Sequence, residues 1–123
     1  MKRRTLLLWL IWLAGLGLLT WGLLSPAAPE VNRSLLPEQL RYPASKGIHL
    51  IGYAGVSALV GWLPVGRLGR LLLWLLLVCH AGLTEYLQRF IPNRSSSLVD
   101  VGFDLAGILL GLAVPTLVQW KKD

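Results

Sequence analysis

Residues 46–89 read KGIHLIGYAGVSALVGWLPVGRLGRLLLWLLLVCHAGLTEYLQR, and the order of polar and apolar residues in that stretch decides the fold. Twenty residues, Gly47–Gly66, pass without a Lys, Arg, Asp or Glu. A second apolar run, Leu71–Gln88, carries one acid, Glu85, near its end. A helix of twenty residues spans roughly 30 Å, the thickness of a bilayer's hydrocarbon core. Backbone polar groups find no water there, so such segments close their hydrogen bonds internally as helices. The strands of a membrane barrel would alternate apolar and polar residues, and these runs do not. Between them, Gly66-Arg67-Leu68-Gly69-Arg70 reads as a tight helix–helix turn.

The same pattern extends outward. Thr5–Leu24 is an uncharged run of twenty residues, and Val101–Trp120 carries one acid, Asp104, near its start. The expected fold is all-α: one domain over residues 1–123, a polytopic membrane protein with four transmembrane helices and the lipid bilayer as its first partner. Composition agrees. The chain is 54% hydrophobic and 15% charged, against about a quarter charged in soluble domains. Lys2, Arg3 and Arg4 followed by an apolar run resemble a signal peptide, but the run exceeds the usual ~7–15 residues, which favours a retained helix. The net charge of +6 comes from basic residues capping apolar blocks, an arrangement suited to anionic headgroups and not to nucleic acid. The one cysteine, Cys79, sits inside an apolar run and reads as a small packed side chain.

Four helices put both termini on one side, with Lys2, Arg3, Arg4, Arg67, Arg70, Lys121 and Lys122; the other side holds Arg33, Arg41, Lys46, Arg89 and Arg94. The excess, and its placement in very short segments at the helix ends, puts both termini in the cytoplasm. Trp62, Trp74 and Trp120 then fall near the inner interface and Trp21 near the outer one. Residues 25–46, with Pro26, Pro29, Pro37 and Pro43, read as a mostly irregular outer loop holding at most a short helix over Ser34–Arg41; residues 89–99 form the second outer loop.

Ionisable side chains in a membrane are costly and persist when they are paired or functional. Lys46, His49 and Tyr53 share one helix face at i, i+3, i+7. Glu85, Gln88 and Arg89 do the same at the end of the next run, and Asp100 and Asp104 at the start of the last. Because the chain reverses at each run, all three polar ends meet at the outer face. Glu85 lies ~6 Å inside Arg89, so the expected site is a shallow basin under the outer headgroups with Lys46, Arg89 and Arg94 at its rim. Its charges balance, so a purely structural ion-pair network is the competing reading. His80, rotated by ~140° from Glu85 and deeper, is expected to make an interhelical hydrogen bond outside the site. Gly107 and Gly111, with Ala54 and Ala58 as a possible counterpart, have the small-residue spacing of close helix packing, and Gly102 and Ala106 repeat it.

At these residues the chain resembles the VanZ-like membrane protein family. Lys46, His49 and Tyr53 match its Lys-x2-His-x3-Tyr; Glu85 and Gln88 its Glu-x2-Gln; Pro92 and Arg94 its Pro-x-Arg loop. Asp100, Gly107 and Gly111 match Asp-x3-Asn-x2-Gly-x3-Gly, with Asp104 in place of the Asn. The resemblance covers roughly residues 46–111. It implies a bacterial inner-membrane protein of the cell envelope, in a family whose founding member is associated with low-level resistance to the antibiotic teicoplanin.

Two functions follow as expectations. One is a non-catalytic envelope protein whose outer pocket, with Lys46, His49, Tyr53, Glu85, Gln88, Arg89, Arg94, Asp100 and Asp104, binds a lipid headgroup, a lipid-linked wall precursor or a membrane partner. The other is an intramembrane enzyme acting on an envelope lipid or glycolipid, with His49 as acid or base and Glu85 or Asp104 orienting it. No Ser or Cys stands at a credible spacing for a nucleophile; Ser95, Ser96 and Ser97 read as loop serines. The acids and His49 are scattered over three helices without metal-site spacing, so neither a metal nor another cofactor is expected.

Overall fold

The computed structural model of the chain describes residues 2–92, 94 and 97–122, the side chains of 119–122 excepted. Asn93, Ser95 and Ser96, and the side chains of Trp120, Lys121 and Lys122, therefore lie outside the described residues. Every regular element described is a helix: α1 (Arg3–Leu24), α2 (Ala28–Leu35), α3 (Glu38–Val60), α4 (Arg67–Leu87), a 3-10 turn (Gln88–Phe90) and α5 (Leu98–Lys122). Three segments are long and apolar enough to cross a membrane: α1, α4 with its 3-10 turn, and α5 up to Val118. α3 has 23 residues, ~34 Å of helix, but Glu38, Arg41 and Lys46 load its first third with charge.

Two boundaries differ from expectation. The twenty-residue apolar run is not one helix: α3 stops at Val60, and the turn occupies residues 61–66, with Arg67–Arg70 as the first turn of α4. The turn holds Pro64, and Pro115 of α5 packs on Gly61 so closely that a Cβ at Gly61 would overlap its ring. The outer loop is also largely helical. Pro29 sits in the first turn of α2 and Pro37 at the N-cap of α3, places where a missing N–H costs nothing. Proline there starts helices; of the loop's prolines Pro43 alone lies in a helix interior, as Pro115 does in α5.

The helices associate through small residues. A Cβ at Gly107 would overlap the Leu50 carbonyl oxygen and stand 3.1 Å from the Tyr53 Cβ; one at Gly111 would overlap the Ala54 oxygen and stand 2.6 Å from the Ser57 Cβ and 2.8 Å from the Ala58 amide nitrogen. Lys46 meets Asp100, His49 meets Asp104, and Gly61 meets Pro115. Partners thus advance together along both helices, so α3 and α5 run parallel in one register, and they form the largest interface of the molecule. Ser57 Oγ adds a hydrogen bond to the Ile108 carbonyl at 2.7 Å, and Trp74 Nε1 donates to the Ser57 carbonyl at 3.1 Å. Gly102 and Ala106 repeat the spacing on the wrong face: both are exposed, and a Cβ at Gly102 would meet nothing.

Trp12, Leu19, Leu23, Val56, Leu77 and Ile108 are among the buried apolar residues. Outside them lies a continuous apolar coat, with Leu18 and Ile51 each 71% exposed and Leu109 65% exposed. A water-soluble chain of this size does not carry such a surface; lipid accommodates it. Cys79 belongs to that coat and is exposed on α4, contrary to the expected packed position. In a membrane helix an apolar residue has no need of the protein interior.

Candidate functional site

The glycine register fixes the first pairs of the site. With Gly107 seated on α3, the first two turns of α5 face Lys46 and His49. Lys46 Nζ bonds Asp100 Oδ1. His49 Nδ1 bonds Asp104 Oδ1 at 2.6 Å, both side chains buried and that of Asp104 completely so. With Asp104 ionised, its carboxylate only accepts; the proton then sits on His49 Nδ1 and leaves Nε2 as the ring nitrogen available to something else. The second oxygen of Asp104 is buried with no partner among the described residues.

Glu85 does not meet His49. Its carboxylate accepts the backbone N–H of Ser97, at the start of α5, while Ser97 Oγ accepts the Val99 N–H at 3.1 Å. Hydroxyl and carboxylate together close the N-terminus of α5, where negative charge is favoured. Gln88, buried, donates to the Leu23 carbonyl at 2.8 Å. Arg94 reaches the other end carbonyls of α1: Nε to Ser25 O at 3.3 Å and Nη2 to Gly22 O. The last carbonyls of a helix lack internal partners, and a cation there is favoured. Burial pushes the Arg94 guanidinium below its ordinary range, and the charges of Asp100 and Glu85 pull it back up; it stays protonated. Arg89 is exposed and stacks over the Tyr86 ring, 5.5 Å from its centroid, outside the cluster.

Tyr53 belongs to a second, deeper set. Its hydroxyl lies 2.8 Å from His80 Nδ1 and 3.3 Å from Thr84 Oγ1, and His80 Nε2 lies 2.8 Å from Thr20 Oγ1. His80 therefore links α1, α3 and α4, the interhelical role expected of it, but through a residue that sequence reasoning had placed in the site. Thr20 and Thr84 were missed. Thr20 was visible as a lone hydroxyl in an apolar run.

The nine candidates thus separate by what remains free. Lys46, Asp100, Gln88 and Glu85 are spent on contacts that tie helix to helix. His49 and Arg94 keep unspent donors or acceptors, and both line a cavity of about 520 Å³. Its other walls are mostly apolar, among them Leu18, Leu19 and Leu23 of α1, Val31 and Leu35 of α2 and Ile48 of α3, with Asn32 and Ser45 as polar exceptions. No group of three His, Cys, Asp or Glu among the described residues is placed to hold a metal.

Comparison with protein-family models, curated proteins and solved structures finds no match. The chemistry of the site is thus read from its own geometry. It offers a largely apolar cavity whose lining includes the Arg94 guanidinium and the His49 imidazole.

Proposed function

We propose that this chain is a VanZ-like, multi-pass protein of the bacterial inner membrane whose lateral cavity binds an envelope lipid or a lipid-linked wall precursor. α1, α3, α4 and α5 cross the membrane, both termini lie in the cytoplasm, and α2 rests at the outer interface. The polar first third of α3 then stands at headgroup depth, where charge is tolerated. One observation carries the reading: the cavity joins apolar walls from α1, α2 and α3 to His49 and Arg94. A ligand with an apolar tail and an anionic head matches both parts, since Arg suits phosphate and carboxylate. Any role in glycopeptide tolerance would follow from holding such a lipid.

A photoreactive residue at Ile48 tests this in whole membranes. It should capture lipid, and capture should fall several-fold with Arg94→Ala or His49→Gln. Undiminished capture by either variant, at normal protein levels, would remove the proposal.

The 2.6 Å pairing of His49 with Asp104 favours a second reading, acid–base chemistry on the same lipid. A carboxylate that orients a histidine, with the far nitrogen at a ligand cavity, is the arrangement of a general base. Asp104, not Glu85, is the orienting acid. Lipid turnover by purified protein should disappear in His49→Ala; equal turnover would leave binding as the function.

A further inference from the structure

At the end of the molecule opposite His49, the turn after α3 together with α4 and α5 forms an open cleft of about 180 Å³ lined by Gly61, Arg67, Arg70, Trp74, Pro115 and Thr116. It plays no part in the function argued above. Its polar chemistry is one-sided. Arg67 and Arg70 share a helix face at i, i+3, and neither guanidinium has an acidic partner among the described residues. Arg70 Nε is buried there without an acceptor among those residues. The Trp74 indole N–H is already given to the Ser57 carbonyl, and Thr116 Oγ1 to Leu112 O. Of the chain's six carboxylates, Glu30, Glu38, Glu85, Asp100 and Asp104 all sit at the other end; Asp123 lies outside the described residues.

The local backbone sharpens the imbalance. Both arginines occupy the first turn of α4, which has no acidic residue and no side-chain cap. Cations at a helix N-terminus oppose its dipole, which is the end that favours negative charge. A buried donor without an acceptor adds a further cost. Two guanidiniums and a positive helix end around one small cleft make an arrangement that a single tetrahedral anion would relieve at every point. The cleft lies where the apolar spans of α4 and α5 meet the membrane surface, so the anion most abundant there is a lipid phosphate.

We propose that Arg67 and Arg70 form a binding site for the phosphate of an anionic phospholipid, with its glycerol and upper chains against Pro115 and Trp74. The site is separate from the His49 cavity and stands or falls without it. An arginine fork grips two phosphate oxygens at once, so the site prefers Arg to Lys.

The test uses the full chain in mild detergent, with Arg94→Ala in every chain, the one wild type at Arg67 and Arg70 included, so that the His49 cavity contributes no lipid; it is titrated with phosphatidylglycerol or phosphatidylcholine and read by native mass spectrometry. Wild type should hold phosphatidylglycerol in preference. Affinity should drop roughly 5-fold for each arginine replaced by Gln, so R67Q/R70Q retains little. R67K/R70K, which keeps the charge and guards against a folding artefact, should fall between. Arg89→Gln, which removes one exposed arginine elsewhere, should bind as wild type. Equal retention of both lipids, wild-type retention by R67Q/R70Q, or an equal loss in Arg89→Gln overturns the site. Displacement of phosphatidylglycerol by millimolar inorganic phosphate would assign it to free phosphate instead and overturn the lipid.

Discussion

Asp104 shows how much one side chain decides. On the proposed VanZ-like reading it stands where an Asn is expected, and its contact is one either residue can make: Oδ1 lies 2.6 Å from His49 Nδ1, where either side chain's oxygen can accept. Asp104→Asn keeps that acceptor and removes a buried carboxylate, so stability should stay within about 1 kcal/mol, while Asp104→Leu strands the imidazole N–H and should cost about 1–3 kcal/mol. Thermal unfolding in detergent separates the two, and an Asn variant as unstable as the Leu one would show that the charge itself is needed. Arg94 makes a comparable case. Because it serves two carbonyls with Nε and Nη2, Arg94→Lys should lose about 1.5–3 kcal/mol despite keeping its charge; a lysine variant that melts with wild type would mean that charge alone suffices. That Lys46, His49, Asp100 and Asp104 gather at one end of the bundle was legible in the sequence, because helix spacing fixes which residues share a face and chain reversal brings the ends together; which acid meets which base was not. Which carbonyls Gln88 and Arg94 would reach was not: that depends on where α1 ends relative to α4, and nothing in residue types encodes it.

Among the elements, the α3–α5 pair is the most tightly specified. Gly107 and Gly111 sit against backbone atoms that have nowhere to move, and Gly102 faces open space. Gly111→Ala should therefore destabilise by about 1–3 kcal/mol, while Gly102→Ala should be neutral or slightly stabilising. Equal melting temperatures for the two would refute the register. The glycine spacing could be read from the sequence, but the choice between Gly107/Gly111 and Gly102/Ala106 needed the neighbouring helix. The helical outer segment was hidden by its prolines, which start a helix as readily as they end one. The shift of the turn to residues 61–66 was hidden by charge: Arg67 and Arg70 look like loop residues and are instead the opening of α4.

At the scale of the whole molecule, the proposed topology of four crossings, with α3 among them, would place the polar start of α3 and the acids of α5 at one surface. In a Cys79→Ser background, Glu38→Cys should react with an impermeant maleimide from outside intact cells, and Leu68→Cys only after permeabilisation. Labelling of both from the same side would rule out the four-span topology. Three of the four expected runs are apolar enough to cross a membrane, α3 being loaded with charge at its start. That the chain is all-helical, with such helices, was evident from hydropathy. The cavity was not, because it exists only through α2, whose apolar residues Val31 and Leu35 roof a space that the four long helices leave open.

The bundle is fastened unevenly. α3 and α5 interlock along their length, backbone against backbone, whereas α1 is pinned to the rest by the Thr20–His80 pair and by Gln88 and Arg94 at its last turn. Those pins are clustered in the final five or so residues of a 22-residue helix. Toward its other end α1 is held by apolar packing alone, with Trp12 buried and Leu8, Trp9 and Leu16 against the same core, so no hydrogen bond among the described residues anchors that half to the α3–α5 spine.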